Sequence, residues 1–249
     1  MPQINQITFR VADPEAQVRF YCDVLGMQRL GADCVGYGGA QAALRFIKAE
    51  GVYTPRPTDM YWKIALSVPN LELAHQQLAQ AGIACAEPRQ FEDVRYLAHF
   101  ADPEGFPIEL LDHAFKGERD TAGHDPDAFG GGAHLSLLTL RTADIAADEP
   151  TLLGWGMRKL SVQPLTDYGF DLHSYALTDE DPPNAELTAV ENRTWVYQRP
   201  YTVLELQHVH QLSETTDTDR YVGALIAGPE AKAGFPNGVG LGETPVEVI

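Results

Sequence analysis

The chain of 249 residues has few cysteines and little positive charge. Its three cysteines, Cys22, Cys34 and Cys85, are an odd number and lack the paired spacing of a disulfide framework or a cysteine zinc site. The 18 Lys and Arg residues stand against 35 Asp and Glu residues, which gives a net charge of −17 at pH 7. Because nucleic acids and anionic lipid surfaces require a basic face, neither is expected as a partner.

Long hydrophobic runs are also missing from the sequence. No stretch approaches the roughly 20 consecutive apolar residues that a membrane-spanning helix needs. The first residues enter an alternating strand pattern directly, without the basic and apolar regions of a secretory signal peptide. Together with the unpaired cysteines, this pattern predicts a cytoplasmic protein. Its content of 44% hydrophobic residues is typical of a globular protein with a substantial core.

What the sequence does contain is one pattern that occurs twice: strand, cap residue, amphipathic helix and glycine. The first copy spans residues 4–26 and the second spans residues 64–82. Asp13 precedes the first helix and Asn70 precedes the second, where a short oxygen-bearing side chain accepts hydrogen bonds from the first turn. Asp144 stands in the same way between a strand pattern at 135–141 and a shorter helical stretch. Further strand patterns follow each helix, so the sequence predicts an α+β fold of repeated βαβββ modules.

The same pattern predicts how the chain divides into domains. Residues 1–115 are predicted to form one complete domain of two modules. The segment 116–132, rich in glycine, aspartate and charge, is predicted to be a linker. Residues 133–249 are predicted to form a second, incomplete domain with a third module and a vestigial fourth, represented by a strand at 221–227. An unfinished set of modules exposes a sheet edge, so we expect a homodimer.

Three phrases of the sequence resemble the vicinal oxygen chelate superfamily, which includes glyoxalase I, extradiol dioxygenases and bleomycin-resistance proteins. They are FYCDVLGM at 20–27, IALSVPN at 64–70 and FADPEGFPIELL at 100–111. In the third module, YALTDEDPP and TVLELQHV are similar to glyoxalase I in particular. The resemblance implies the modular fold and a binding cleft, but the superfamily covers many chemistries, and fold alone does not fix function.

The resemblance also implies a divalent metal held by the first and last strands of each module. In chain order, Gln6, Glu109, His134 and Glu205 match the Gln, Glu, His and Glu ligands of glyoxalase I, although their spacing differs. Nickel, zinc, manganese and iron are all compatible with the resemblance. At two further ligand positions stand Arg45 and Lys63, whose charged side chains cannot ligate a cation.

Glu109 and Glu205 are the candidate catalytic residues. Each stands in an apolar strand sequence, where a buried carboxylate must be paired, protonated or bound to a metal. In a glyoxalase-like enzyme a ligand glutamate would also serve as the base that moves a proton beside the substrate carbonyl. Pairing of Glu109 with Lys63 or Arg45, and of Glu205 with Arg141, is the alternative.

Cationic and aromatic residues are the candidates for substrate binding. The resemblance implies that Arg10 would hold the carboxylates of a thiol conjugate such as glutathione. Arg45 and Lys63 would hold an anionic group of a small-molecule ligand. Trp195 belongs to an aromatic group, predicted to lie in a strand, that would form a flat hydrophobic wall.

Histidines near the end of the third module are not expected to join these candidates. His208 and His210 fall on the strand face opposite Glu205, because successive side chains of a strand alternate. A cluster of three ligands around Glu205 is therefore not predicted. The two histidines and one glutamate that an extradiol dioxygenase needs around iron are not evident in the sequence.

Three functions are compatible with these residues, and the sequence favours the first, which would make the protein an enzyme, over the two alternatives. The first is a metal-dependent, glyoxalase-like lyase or isomerase acting on a small substrate with adjacent oxygens, which the two glutamates favour. The second is a metal-free small-molecule-binding protein of the drug-resistance or sensor kind, which accounts directly for Arg45 and Lys63. An extradiol-type dioxygenase is the third.

Overall fold

The computed structural model describes residues 3–119, 124–216 and 220–227, and it shows the predicted α+β fold. No helix in these ranges is long and apolar enough to cross a membrane. The helices are α1 (Pro14–Asp23), α2 (Leu71–Gln80), α3 (Ile145–Gly154) and α4 (Glu191–Tyr197). The strands are β1 (Gln3–Val11), β2 (Gln28–Arg29), β3 (Cys34–Gly36), β4 (Ala43–Lys48), β5 (Tyr61–Val68), β6 (Arg89–Phe91), β7 (Arg95–Ala101), β8 (Pro107–Asp112), β9 (His134–Thr142), β10 (Arg158–Leu165), β11 (Phe170–Ala176), β12 (Val203–Val209) and β13 (Tyr221–Ala227).

The strands form one sheet of five and one of eight. Their orders are β13-β1-β4-β3-β2 and β10-β11-β12-β9-β5-β8-β7-β6. In the larger sheet β5 and β9 pair antiparallel, and each pairs in parallel with the last strand of its own module, β8 or β12. The second and third modules therefore share one strand order and meet at their first strands. In the smaller sheet β13 pairs antiparallel with β1, in the same way as β9 pairs with β5 in the larger sheet.

The larger sheet continues across the segment predicted to be a linker. Strand β5 precedes residues 116–132 and β9 follows them, yet the two strands are hydrogen-bonded neighbours. The division of the chain into domains 1–115 and 133–249 stays a prediction. The strand order does establish that the second and third modules together form the larger sheet.

Three helices begin at the residues that the sequence pattern indicates. The carboxylate of Asp13 accepts a hydrogen bond from the amide of Ala16 at 3.0 Å, and Pro14 occupies the first turn of α1. The side chain of Asn70 accepts a hydrogen bond from Leu73 at 3.0 Å, and Asp144 caps α3 in the same way. These caps fix where each helix leaves its strand.

Strand β10 and helix α4 are among the elements that differ from what the sequence indicates. Strand β10 was not anticipated; it is an edge strand of the larger sheet, where Pro164 can be accommodated. Trp195 lies in helix α4 rather than in a strand. The aromatic and β-branched residues of ENRTWVY resemble a strand in composition, but their burial follows one helix face, which includes Val196 and Tyr197.

Each face of the larger sheet has its own core. On one side, here called the helix face, Ile64 and Leu66 of β5 pack in the core that contains Leu78 of α2. On the other side, here called the pocket face, Ala65 packs in the core that contains Tyr197 of α4. Because side chains alternate along a strand, Lys63, which is two residues from Ala65, also lies on the pocket face.

The turn between β7 and β8 joins the second module to the first. The carboxylate of Asp102 accepts hydrogen bonds from the hydroxyl of Tyr21 at 2.9 Å and from the side-chain amide of Gln17, both in α1. Glu104 accepts hydrogen bonds from the backbone amides of Ala12 and Asp13 at 2.8 and 3.0 Å. This turn therefore holds the start of α1 against the larger sheet.

Candidate functional site

Four buried charged side chains lie together on the pocket face. This charge cluster consists of Lys63 on β5, Arg95 on β7, Glu109 on β8 and Glu205 on β12, and each side chain is at most 2% exposed. The strand register brings them together. Lys63 pairs with Thr139 of β9, and Thr139 pairs with Glu205, so three neighbouring strands contribute at one level of the sheet.

Both cations of the charge cluster contact both carboxylates. The Nζ of Lys63 lies 2.6 Å from Oε2 of Glu109 and 3.4 Å from Oε1 of Glu205. The guanidinium of Arg95 donates from Nη1 to Glu109 and from Nη2 to Glu205, each at 2.8 Å. Thr139 donates its hydroxyl to Glu205 at 3.0 Å. Two positive and two negative charges therefore balance within one hydrogen-bonded group.

The neighbouring charges control the ionisation of both glutamates. Burial by itself would raise the pKa of Glu109, but the charges of Lys63 and Arg95 hold this pKa well below its ordinary value. Burial likewise acts to raise the pKa of Glu205, and the charges of Arg95 and Lys63 lower it. Both carboxylates are therefore ionised at neutral pH, as buried carboxylates are when they have close cationic partners.

A pocket of about 300 Å³ opens beside the charge cluster. Its walls are largely aromatic and apolar, and two members of the charge cluster, Arg95 and Glu109, are among its lining residues. The lining residues are Trp62, Arg89, Phe91, Arg95, Leu97, His99, Glu109, Tyr168, Phe170, Leu172 and Gln207. The buried Nε of Arg95 has no hydrogen-bond partner among the described residues. A pocket of this size and composition suits a small, largely apolar molecule.

The charge cluster does not fit a divalent metal. The resemblance implies ligands from the first and last strands of each module, and in the second and third modules those strands place Lys63, Glu109, Thr139 and Glu205 on the pocket face. A positively charged ammonium group thus contacts both carboxylates that a metal would need. Lysine has no lone pair to offer while charged, and its charge would repel the ion.

The four residues predicted to bind a metal do not converge. Gln6 lies on β1 of the smaller sheet, and its amide donates to the hydroxyl of Thr8 at 3.0 Å. His134 lies at the start of β9, with Nε2 at 2.9 Å from the backbone oxygen of Tyr197. Burial lowers the pKa of His134 to about 4. Of the four predicted ligands, Glu109 and Glu205 are brought together, and Gln6 and His134 are elsewhere.

The four predicted substrate-binding residues are also separated. Lys63 lies in the charge cluster beside the pocket, whereas Arg10 and Arg45 belong to the smaller sheet. Arg45 is exposed, and its Nε forms an ion pair with Asp33 at 3.1 Å. Trp195 lies on α4 with the Arg199 guanidinium 4.1 Å from its ring centroid, and it is not among the lining residues of the pocket.

Sequence reasoning missed two members of this site. Arg95 was not identified, although two glutamates in apolar strands require more than one cation, and Arg95 begins an alternating strand with His99 on the same face. Thr139 was missed because its position beside Glu205 depends on the pairing of β9 with β12. Pairing of Glu205 with Arg141 is wrong, because Arg141 contacts Gln207 at 3.2 Å and Glu205 pairs with Arg95.

A group of possible metal ligands does occur on the helix face. One ligand atom from each of Asp171, His173 and His208 lies within 4.8 Å of the other two. From the sequence, His208 is expected only to lie on the strand face opposite Glu205, because its proximity to Asp171 depends on the pairing of β11 with β12. The sequence does carry a signal for this group. In DLH, Asp171 and His173 share one strand face, and in HVH, His208 and His210 share one face of the strand that pairs with it.

Comparison with known proteins agrees with this architecture. A family model described as Glyoxalase/Bleomycin resistance protein/Dioxygenase superfamily matches residues 3–110. Glyoxalase I from Zea mays superposes with a TM-score of 0.66 at 18% identity, covering 91% of this chain and 74% of the maize chain. A putative dioxygenase from Bacillus subtilis superposes with a TM-score of 0.58 at 15% identity, covering 92% of this chain and 72% of that one.

At these identities the superpositions establish the fold and leave the activity open. Among curated protein sequences, none matches this chain. The match over residues 3–110 agrees with the family that the sequence phrases indicate. The strand orders agree with it as well, because they place the first and last strands of a module beside each other. What the comparisons show is therefore a match of residues 3–110 to the Glyoxalase/Bleomycin resistance protein/Dioxygenase superfamily and a fold similar to that of glyoxalase I.

Proposed function

We propose that this protein binds a small molecule, without the help of a metal, in the pocket beside the charge cluster. The observation that carries the proposal is the pairing of Glu109 and Glu205 with Lys63 and Arg95. These contacts neutralise both carboxylates inside the protein. The cluster therefore acts as a rigid, charge-balanced group beside the pocket, and no metal is needed to compensate it.

The metal-dependent alternatives receive less support from this geometry. A glyoxalase-like lyase and an extradiol dioxygenase both need an ion with open coordination positions for two substrate oxygens. Beside this pocket, the carboxylates already accept hydrogen bonds from Lys63 and Arg95. A proton-transfer role for Glu109 is disfavoured as well, because its lowered pKa makes it a weak base.

The pocket walls indicate the chemistry of the ligand. Trp62, Phe91 and Phe170 offer flat apolar surfaces, which suit a planar or aromatic molecule. Arg89 and Arg95 line the same pocket, and Arg95 Nε is a buried donor with no partner among the described residues. We therefore expect a small planar ligand that carries a hydrogen-bond acceptor or a negative charge, such as an aromatic carboxylate or a quinone.

The experiment is a ligand screen with a variant that fills the pocket. Metal-free protein is screened against aromatic carboxylates and quinones by thermal shift and by quenching of tryptophan fluorescence. Leu172→Trp places an indole in the pocket, and Leu153→Trp places one on α3, where Leu153 is 50% exposed. Ligands should stabilise the wild type and Leu153→Trp, with binding to Leu172→Trp weakened at least about tenfold.

A second variant covers the case in which Leu172→Trp does not fold. Phe91→Ala removes one pocket wall, and it should weaken the same ligands while leaving the protein folded, because Phe91 is only partly buried. Ligands that bind equally well to both pocket variants would contradict the proposed site. Turnover of a substrate that requires an added metal and stops on chelation would contradict the proposed function.

A further inference from the structure

We propose that Asp171, His173 and His208 form a binding site for one divalent transition metal ion on the helix face of the larger sheet. The donors are two imidazoles and one carboxylate, which is a ligand set suited to zinc, nickel or iron(II). The ion would hold β11 to β12 near the edge of the sheet. This site is separate from the pocket and from the ligand positions that the family resemblance implies.

The strand register brings the three side chains together. Asp171 of β11 stands directly opposite His208 of β12 in the antiparallel pair. His173 follows Asp171 by two residues, so both side chains project from the same face. One ligand atom of each residue lies within 4.8 Å of the other two. Metal–ligand bonds of roughly 2.0–2.2 Å place ligand atoms closer than this, so small side-chain rotations would complete the coordination.

The state of His173 is an independent indication of a ligand. Its side chain is buried, with 9% relative exposure, and neither ring nitrogen has a hydrogen-bond partner among the described residues. Burying an imidazole without a partner is costly, and buried polar groups in native proteins are generally satisfied. A metal ion bound through one ring nitrogen of His173 would remove that cost.

The surroundings favour an ion that arrives from solvent. The side chains of Asp171 and His208 are each 24% exposed, so the group is accessible. Nε2 of His210 lies 2.8 Å from Oδ2 of Asp171, and the amide of Leu165 donates to its Oδ1 at 3.2 Å. Such outer contacts orient a ligating carboxylate. His210 is therefore assigned as a positioning residue for Asp171.

The alternation along β11 separates this site from the pocket. Phe170 and Leu172 of β11 line the pocket. Asp171 and His173 alternate with them along the strand, so the side chains of Asp171 and His173 project from the opposite face. The metal site and the pocket thus lie back to back across one strand. Metal binding and ligand binding should consequently be separable by mutation.

The test is a metal titration of tag-free, chelator-treated protein. Calorimetry with zinc and nickel should give one equivalent per wild-type chain, and cobalt(II) should give a visible absorption spectrum. His208→Gln and Asp171→Asn should each weaken binding more than about 100-fold, and His210→Gln about tenfold. The matched control is His75→Gln, a partly buried histidine of α2, which should bind like the wild type.

Stability gives a second readout. Saturating zinc should raise the thermal midpoint of the wild type and of His75→Gln, and it should leave His208→Gln unchanged. Absence of binding to the wild type, or binding that both His208→Gln and Asp171→Asn retain, would overturn the inference. His99 lies 3.2 Å from Glu109 on the pocket face. Loss of the ion in His99→Gln would also overturn it, because the metal would then belong to the pocket.

Discussion

Lys63 occupies the position where the family resemblance implies a metal ligand. Its side chain is fully buried, and its Nζ contacts Glu109 at 2.6 Å and Glu205 at 3.4 Å. A buried carboxylate with no cation nearby is costly, and two adjacent carboxylates are more so. The ammonium group of Lys63, together with Arg95, supplies the positive charge that a metal would supply at such a place.

The first prediction concerns removal of that charge. Lys63→Met keeps a side chain of similar length but removes its positive charge. Glu109 and Glu205 are then left with the guanidinium of Arg95 as their cationic partner in the charge cluster. We expect a loss of about 3–5 kcal/mol in the free energy of unfolding at pH 7, measured by urea denaturation. The exposed Lys116→Met is the control, and it should change stability by less than about 0.5 kcal/mol. Equal stability of the two variants would contradict the role given to Lys63.

The second prediction concerns pH. The pKa values of Glu109 and Glu205 are lower in the folded protein than the ordinary glutamate value of 4.5. Their stabilising contribution is therefore present above pH 4.5 and is lost as the pH falls through the folded-state values. The free energy of unfolding should decrease as the pH falls below 4.5, and Glu205→Gln, less stable throughout, should show a shallower decrease.

The exposed Glu118→Gln serves as the control for this pH series, because it removes one carboxylate without touching the charge cluster. Its stability should follow the wild-type curve with pH. If Glu205→Gln and the wild type lost stability in parallel, the lowered pKa of Glu205 would not be a source of acid sensitivity.

Part of this site could be inferred residue by residue from the sequence. Glu109 and Glu205 stand in apolar strands, which indicates burial, and pairing of Glu109 with Lys63 was one of two alternatives considered. Arg95 could not be inferred, because its contacts depend on which strand lies beside which. The same limit applies to Asp171 and His208, whose proximity arises from the β11–β12 register.

Among the connecting elements, the turn at residues 102–106 contributes most to the junction between modules. Gly105 has φ +89°, and a Cβ atom there would overlap the backbone oxygen of Tyr53. Glu104 in the same turn accepts two amide hydrogen bonds at the start of α1. The glycine in ADPEG is therefore required for two reasons, its backbone conformation and its close approach to a neighbouring segment.

The third prediction separates those two reasons. Gly105→Ala should reduce the free energy of unfolding by more than Gly82→Ala does. Gly82 has a similar φ of +75° and nothing within 4 Å of a Cβ atom, so its substitution costs the left-handed conformation alone, about 1–2 kcal/mol. Urea denaturation of both variants measures the difference. Equal losses would mean that the contact with Tyr53 carries no cost.

Elements were predictable where local signals specify them. Asp13, Asn70 and Asp144 begin helices as expected, since a cap residue acts within its own turn. Strand β10 and helix α4 were not anticipated, because packing overrides their local composition. In α4, Tyr197 packs on the pocket face, which a strand propensity cannot reveal.

At the scale of the whole molecule, the modules pair in a way that the sequence repeat alone did not specify. The repeat indicated how many modules to expect, but not that the second and third would share the sheet that carries the pocket. In the smaller sheet, as far as the described residues extend, β13 is the strand of the predicted fourth module that pairs with β1. The homodimer expected from this incomplete set stays a prediction.

Metal titration of one variant shows whether the pocket face works without a metal. His208→Gln, which removes the proposed ligand on the helix face without altering the charge cluster, is titrated with zinc, nickel, manganese and iron(II) after chelator treatment. This variant should bind none of these ions tightly, while it still binds pocket ligands. One equivalent of metal that persists in His208→Gln and is lost in His208→Gln/His99→Gln would mean that the pocket itself holds a metal.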